Sequence, residues 1–203
     1  MTKLSDETRS KILDAATDVF AEKGFHDARM DEIVEASQTS KGGVYHHFPS
    51  KNYIFFALID KFAALLEKRL RVAMEKEEHA LKRVDVAISI CMQTFQQHQA
   101  LAKIALVQAV GLGEAFETKR REINDRFAEI IQENIEASIA DGSIPEIDAE
   151  VTARAWIGAL NEVILRWVYS GSPDLDRAAP ALRIFLLRSI GVPEEKIEIF
   201  NQK

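Results

Sequence analysis

Residues 40–51 read SKGGVYHHFPSK and crowd together side chains of the kind that meet phosphate oxygens. Lys41 and Lys51 place positive charge at the two ends. Tyr45 and His46 are hydrogen-bond donors between them. Ser40 is a residue type that caps a helix, leaving the first backbone N–H groups of that helix facing outward toward an anion. Gly42 and Gly43 each weaken such a helix by about 1 kcal/mol relative to alanine. Close backbone approach to another surface is one physical reason to accept that cost. Val44 and Phe48, four apart, would turn inward and anchor the segment. The chemistry on offer is contact with a polyanion, weighed against an ordinary loop between two helices. The pair His46 and His47 suggests a metal only superficially. Adjacent residues on a helix point about 100° apart and no third ligand lies nearby, so no metal site is predicted. The sequence has no nucleophile–base set and no phosphate-cradling glycine loop. No catalytic residue and no cofactor is therefore predicted, and the chain is read as not an enzyme.

The elements that must position this segment are helical. Ile12, Leu13, Ala16, Val19 and Phe20 fall on one face of a first helix, with Ser5 or Asp6 as its cap and Gly24 as its stop. Met30, Ile33, Val34 and Ser37 mark a short second helix, for which Asp27 is the best capping candidate. A third short helix follows Ser40. A fourth, capped by Ser50, carries Leu58, Phe62, Leu65, Leu66 and Leu70 and runs to about residue 77. Further helices are predicted over 84–97, 100–110, 123–139, 149–169 and 175–190, divided by Gly111, Gly113, Asp141-Gly142, Pro145, Gly171 and Gly191. The fold class is all-α with about nine helices. Two short helices joined by a tight turn on a preceding helix form a helix-turn-helix, whose second helix lies in the major groove of DNA. The domains are residues 1–50, a helix-turn-helix unit, and residues 51–203, a larger helical body.

Bulk composition sets limits on this reading. The 203 residues carry a net charge of −6, which gives no global pull toward nucleic acid. Residues 1–51 hold seven Lys and Arg against nine Asp and Glu, a balance of −2. A DNA-facing surface must then arise by segregation, with Lys3, Lys41 and Lys51 near the groove and Asp14, Asp18 and Glu22 on the far side. The one cysteine, Cys91, cannot form an internal disulfide and reads as a small core hydrophobe; a redox role would need an activating cation nearby. With a polar N-terminus and no apolar run near the roughly 20 residues that span a bilayer, a cytoplasmic location without membrane contact is predicted.

The stretches RSKILDAATDVFAEKGF, MDEIVEA and SKGGVYHHFPSK together resemble the DNA-binding domain of TetR-family transcriptional regulators. The resemblance covers roughly the first 55 residues and implies a homodimer. Its N-terminal three-helix domain would bind an operator, and its C-terminal domain would bind a ligand and dimerise. Where the family usually has glycine in the turn this chain has Gln38, and where it has a small apolar residue this chain has Thr39. Both become candidate DNA contacts, beside Ser40, Lys41, Gly42, Gly43, Tyr45, His46 and Lys51. If the turn needs a left-handed residue, Gln38 supplies it at a cost of about 1 kcal/mol.

In the helical body Phe62, Met92, Phe95, Phe116, Phe127 and Trp156 are either plain core or the lining of an elongated apolar chamber, with Asn161 among its polar groups. A repressor needs such a chamber, because its DNA affinity must change when a signal molecule binds. ARAWIGALNEVILRWVYSG and ALRIFLLRSI look like the family's dimerising helix pair. Ala155, Gly158 and Ala159 would face Leu182, Phe185, Leu186 and Ser189 across a four-helix interface. A looser resemblance of GALNEVILRW and EAFETKRREINDRF to the branch that responds to fatty acyl-CoA implies a CoA phosphate near Lys119, Arg120 or Arg121. The competing reading of that basic run is a solvated helix face. The function expected is a ligand-responsive repressor on double-stranded palindromic DNA, released by a small hydrophobic effector. The alternative is a helical lipid- or ligand-binding adaptor that no longer binds DNA.

Overall fold

A computed structural model describes residues 3–106 and 113–201, with side chains over 5–106 and 113–198. Among the described residues the chain forms ten helices: α1 Lys3–Lys23, α2 Met30–Ser37, α3 Lys41–His47, α4 Lys51–Met74, α5 Ala80–Gln97, α6 Gln99–Leu106, α7 Glu114–Ala140, α8 Ala149–Ser170, α9 Leu175–Ser189 and α10 Glu194–Asn201. The all-α expectation is met, with one helix more than the periodicity showed. These residues cluster into two compact units, one within Met1–Ala64 and His98–Leu112, the other within Leu65–Gln97 and Gly113–Lys203. The first unit thus runs past residue 50, taking in the start of α4 and also α6.

In the first unit the predicted face of α1 is buried throughout, with Ile12, Ala16 and Phe20 fully so. Phe20, Phe25 and Phe55 stack with ring centroids 4.7–6.3 Å apart, which draws the first turns of α4 into this core. Helix α6 packs against α1 and buries Ala102 and Ile104. The predicted end of that helix, at residue 110, lies outside the described residues. Two capping expectations are corrected. Helix α1 is already running at Lys3, so Ser5 and Asp6 sit inside it, Asp6 in the first turn where a carboxylate meets the positive end of the helix dipole. Helix α2 is opened by Arg29 rather than Asp27. The Glu32 carboxylate accepts the Arg29 backbone N–H at 2.9 Å, half of a capping box. Glu32 also pairs with Lys23 at 2.7 Å, and the bond from Lys23 holds the Glu32 carboxyl below the usual carboxylate range.

The second unit is built on α7 packed against α8, with α5 against both α7 and α9. Asp148 caps α8 as expected, its Oδ1 accepting the Val151 N–H at 3.0 Å. Helix α7 starts nine residues before Ile123, where the apolar pattern began. Its polar first turns are supported by two i,i+3 pairs, Glu117–Arg120 at 2.7 Å and Lys119–Glu122 at 3.5 Å. The short α10 follows Pro193, has Glu194 and Glu195 in its first turn, buries Ile197, and is tied to α9 by an Arg188–Glu194 ion pair at 2.7 Å. Its signal was present in Pro193 followed by two acids. Cys91 is half-buried and its thiol is pushed up to about 12 by desolvation alone. No cation activates it, so it packs as a small hydrophobe.

Candidate nucleic-acid interface

The turn between α2 and α3 is held at both ends. Gln38 ends α2 at φ 51° and ψ 30°, the left-handed region, with its N–H bonded to Glu35 O at 3.1 Å. It is the one non-glycine with positive φ among the described residues. A Cβ in that region costs about 1–2 kcal/mol, while glycine recovers part of this against its larger unfolded-state entropy. Gln38→Gly is therefore expected to stabilise the protein by about 1 kcal/mol, a Tm rise of roughly 2–4 °C. A calorimetric Tm that stays level or falls would show that the conformation carries no strain. Ser40 caps α3 as expected, its Oγ accepting the Gly43 N–H at 3.1 Å. Val44 and Phe48 are buried and fix the inner face of α3.

The two glycines have different reasons. A Cβ at Gly43 would lie 2.9 Å from Thr39 Cγ2 and 3.1 Å from Ser40 Oγ, so Gly43 is demanded by packing inside the turn. A Cβ at Gly42 would meet nothing within 4 Å. Gly42 is the position where the backbone lies open to an incoming surface. Gln38, Ser40, Lys41, Tyr45 and His46 are exposed beside it, and Thr39 is half-buried with its hydroxyl donating to Ser37 O at 3.3 Å. Tyr45 is 40% exposed. Lys41 pairs with Asp31 at 2.8 Å on the surface, and that bond raises its pKa.

Lys51 is the correction. Its ammonium donates to three backbone carbonyls, Phe25 at 2.8 Å, His26 at 2.7 Å and Ala28 at 3.1 Å, and lies 4.7 Å from the Phe25 ring centre. A lysine has three donors, and all three are engaged, so Lys51 does not belong to the outward surface. The Lys3 side chain lies outside the described residues. Two features escaped the sequence reading. Arg9 lies 5.2 Å from the Phe48 ring centre, at the back of α3. Tyr53, in the first turns of α4, is 62% exposed. An aromatic residue just past Pro49-Ser50, off the apolar face of α4, was the available signal for it.

The other predicted residues fall as follows. Phe62 belongs to the first unit; Met92, Phe95, Phe116 and Trp156 are buried in the second, and Phe127 is half-buried there. Asn161 donates to Asn124 Oδ1 at 3.4 Å. Trp156 is tied to the α8–α9 packing, its Nε1–H donating to Ser189 Oγ at 3.0 Å. Two surface cavities of about 390 and 170 Å³ lie along α7 and α8, and neither is lined by any of these seven residues. On the proposed partner face Ala155, Gly158 and Phe185 are exposed and Ala159 half-buried. Leu182 and Leu186 are buried within the second unit, Leu186 completely, so they pack inside the protomer and leave little or no surface to a partner. Ser189 is committed to Trp156 and to Leu186 O. Lys119 and Arg120 pair with glutamates of their own helix, and Arg121 reaches Thr118 Oγ1 at 3.4 Å, the pattern of a solvated face. Among the described residues no three His, Cys, Asp or Glu side chains converge as metal ligands. No described helix is long and apolar enough to cross a membrane.

Comparison with known proteins agrees with this geometry. Residues 12–58 match the model for bacterial regulatory proteins of the tetR family. Residues 77–188, over half of the chain, match the tetracyclin repressor-like C-terminal domain. The chain is 27% identical over 173 residues to an uncharacterized HTH-type transcriptional regulator, YdgC of Bacillus subtilis, covering 83% of this chain and 85% of the relative. It is 25% identical over 183 residues to the HTH-type transcriptional regulator SrpR of Pseudomonas putida, covering 90% and 83%. It shares its fold with FadR from Bacillus subtilis, whose structure is in complex with stearoyl-CoA, at a TM-score of 0.78 and 21% identity, covering 91% of this chain and 99% of that one. Models matched in both the N-terminal and C-terminal parts, over a clamped and outward-facing α2–α3 turn, settle the family: the chain belongs to the TetR family of DNA-binding, helix-turn-helix transcriptional regulators.

Proposed function

We propose that this regulator is a repressor that binds a palindromic operator as a homodimer and is released by a small hydrophobic effector. The observation that carries the DNA-facing part is the set Gln38, Ser40, Lys41, Gly42, Tyr45 and His46, held outward on a turn whose backbone is clamped by Gln38 and the Ser40 cap. Helix α3 would enter the major groove with Gly42 nearest the DNA. Thr39 and Tyr53 would flank it, and two copies would sit about 34 Å apart. Lys51 holds the module rather than touching phosphate, and Lys41 must exchange Asp31 for a phosphate. Few cations then remain for counterion release.

The test is a gel shift with a duplex selected from a random pool by the protein, repeated across salt. Tyr45→Ala is expected to weaken binding tenfold or more, about 1.4 kcal/mol, with Tm unchanged because the side chain is exposed. The log–log salt slope of the wild type is expected to be shallower than about −5, fewer than six phosphates neutralised per dimer. Wild-type affinity for the Tyr45→Ala variant would remove this surface from the interface. Failure to select any duplex would favour the adaptor reading, which draws its support from the paired Lys41 and the engaged Lys51.

For the effector, the buried aromatic and methionine side chains of the second unit supply an apolar environment, and the FadR relative of the same fold holds stearoyl-CoA. A long-chain acyl-CoA is the first ligand to test. Tenfold release from DNA needs it to bind the DNA-incompetent state about 1.4 kcal/mol more tightly.

A further inference from the structure

We propose that Lys51 is a positioning residue for DNA binding, the strut that closes the helix-turn-helix into a ring and fixes the attitude of α3. The argument starts from a misplaced charge. Lys51 is the first residue of α4, where the helix dipole is positive and a cation is unfavourable. Something else must hold it there. The α1–α2 connection, residues 24–29, has left the helical ladder, and three of its carbonyls converge on the ammonium at 2.7–3.1 Å. The Phe25 ring, itself buried, covers the ammonium at 4.7 Å.

The placement in the chain gives the contact its consequence. Ala28 immediately precedes Arg29, which opens α2, and Lys51 follows the end of α3 by four residues and Ser50 by one. The Lys51–Ala28 bond therefore spans 23 residues that comprise α2, the turn and α3. The chain on either side of the helix-turn-helix is pinned to itself through one nitrogen. Val44 and Phe48 hold the inner face of α3; the strut holds the two ends of the module. The chain also passes from the first unit to the second within α4, so the helix that carries the strut is the one that leaves the DNA-binding unit. This assignment rests on the DNA-binding reading only for its effect on affinity, and its local effect is readable without DNA.

The experiment uses the full chain with Lys51→Met and Lys51→Arg. In Lys51→Met, hydrogen exchange is expected to speed up at the amides of residues 24–48 by at least about tenfold, with α7 and α8 unchanged; unchanged exchange over 24–48 would overturn the proposal whether or not DNA is bound. On the pool-selected duplex, affinity is expected to fall by about tenfold or more, the equivalent of one lost charge-assisted hydrogen bond, while the salt slope stays the same. A slope that falls by about 0.9 for each phosphate no longer neutralised would make Lys51 a phosphate contact and overturn the proposal. Lys51→Arg separates the two roles again. Arginine serves a phosphate at least as well as lysine, but its planar fork does not converge on three carbonyls arranged around one tetrahedral nitrogen. Loss of affinity in Lys51→Arg supports the strut, and retained affinity overturns it. If Lys51→Met does not fold, the arginine variant carries both measurements. A wild type that selects no duplex removes the DNA reading and leaves the exchange measurement to decide the strut.

Discussion

Asp85→Ala is expected to destabilise the protein by roughly 3–5 kcal/mol, a fall in Tm on the order of 10 °C, although Asp85 belongs to none of the surfaces discussed for binding. Asp85 is 3% exposed on α5. Its carboxylate accepts from Lys82 Nζ at 2.7 Å, one turn back, and from the Arg183 guanidinium on α9, 98 residues further along the chain. The Arg183 side chain is only 11% exposed. Removing the acid takes a buried carboxylate away from both the Arg183 guanidinium and the Lys82 ammonium. The cost of breaking a buried pair on one side is therefore much larger than the net worth of the pair. That asymmetry gives a second arm. Asp85→Leu with Arg183→Met removes both charges, and is expected to recover most of the loss, since Lys82, 24% exposed, can turn to solvent. Thermal melts of the single and double variants check this. A single variant that melts within a degree or two of wild type would show that the pair contributes little. Because Gln96 on α5 also bonds Asp176 on α9 at 2.9 Å, the contact between these two helices is pinned at two levels, and the Asp85 variant is expected to loosen one of them.

Phe185→Glu is expected to convert the proposed homodimer to a monomer and to reduce operator affinity by about a thousandfold, toward the non-specific level. Phe185 leaves 60% of its surface exposed on α9, and Val151 on α8 leaves 62%. Helix α8 also presents Ala155 and Gly158, and a Cβ added at Gly158 would meet open space. An exposed aromatic side chain on α9 and an exposed small-residue stripe on α8 are what two copies related by a two-fold axis could use, each Phe185 seated on the other's glycine. A carboxylate there would be buried without a partner against the other protomer's small-residue stripe, and two-fold symmetry makes that cost fall on both protomers at once. A monomer contacts one half-site. It then loses the second set of phosphate and base contacts together with the spacing requirement that distinguishes an operator from bulk DNA. Light scattering and the gel shift are read on the same sample. A Phe185→Glu protein that remains dimeric would place the interface elsewhere, and a monomeric one that keeps full operator affinity would separate dimerisation from DNA binding.

Much of the candidate interface was legible because its signals are local. Ser40 as cap, Val44 and Phe48 as anchors, and Gln38 in the left-handed position depend on residues within four of one another. A helix's period and a turn's backbone impose those relations directly. Gly42 and Gly43 show the limit. Both are glycines in the first turn of one helix, yet one is required by Thr39 packed against it and the other faces open space. No property of the dipeptide distinguishes them. The same holds for Leu182, Phe185 and Leu186. All three are apolar on one helix, and only the packing of α9 on α5 and α8 decides that Leu186 is sealed and Phe185 stands out.

From its order of residues alone, this chain announces an all-helical protein, places most of its helices by apolar spacing and glycine stops, and marks a helix-turn-helix. Helical periodicity and capping act over three to seven residues, so they are written in the local sequence. The tertiary structure alone decided what each charge is for. Lys51 turns inward to carbonyls 23 to 26 residues away, and Asp85 meets Arg183 across 98. Such pairings are selected by which elements pack side by side and by the need to compensate a charge once water has been excluded; that requirement exists only after the chain has folded.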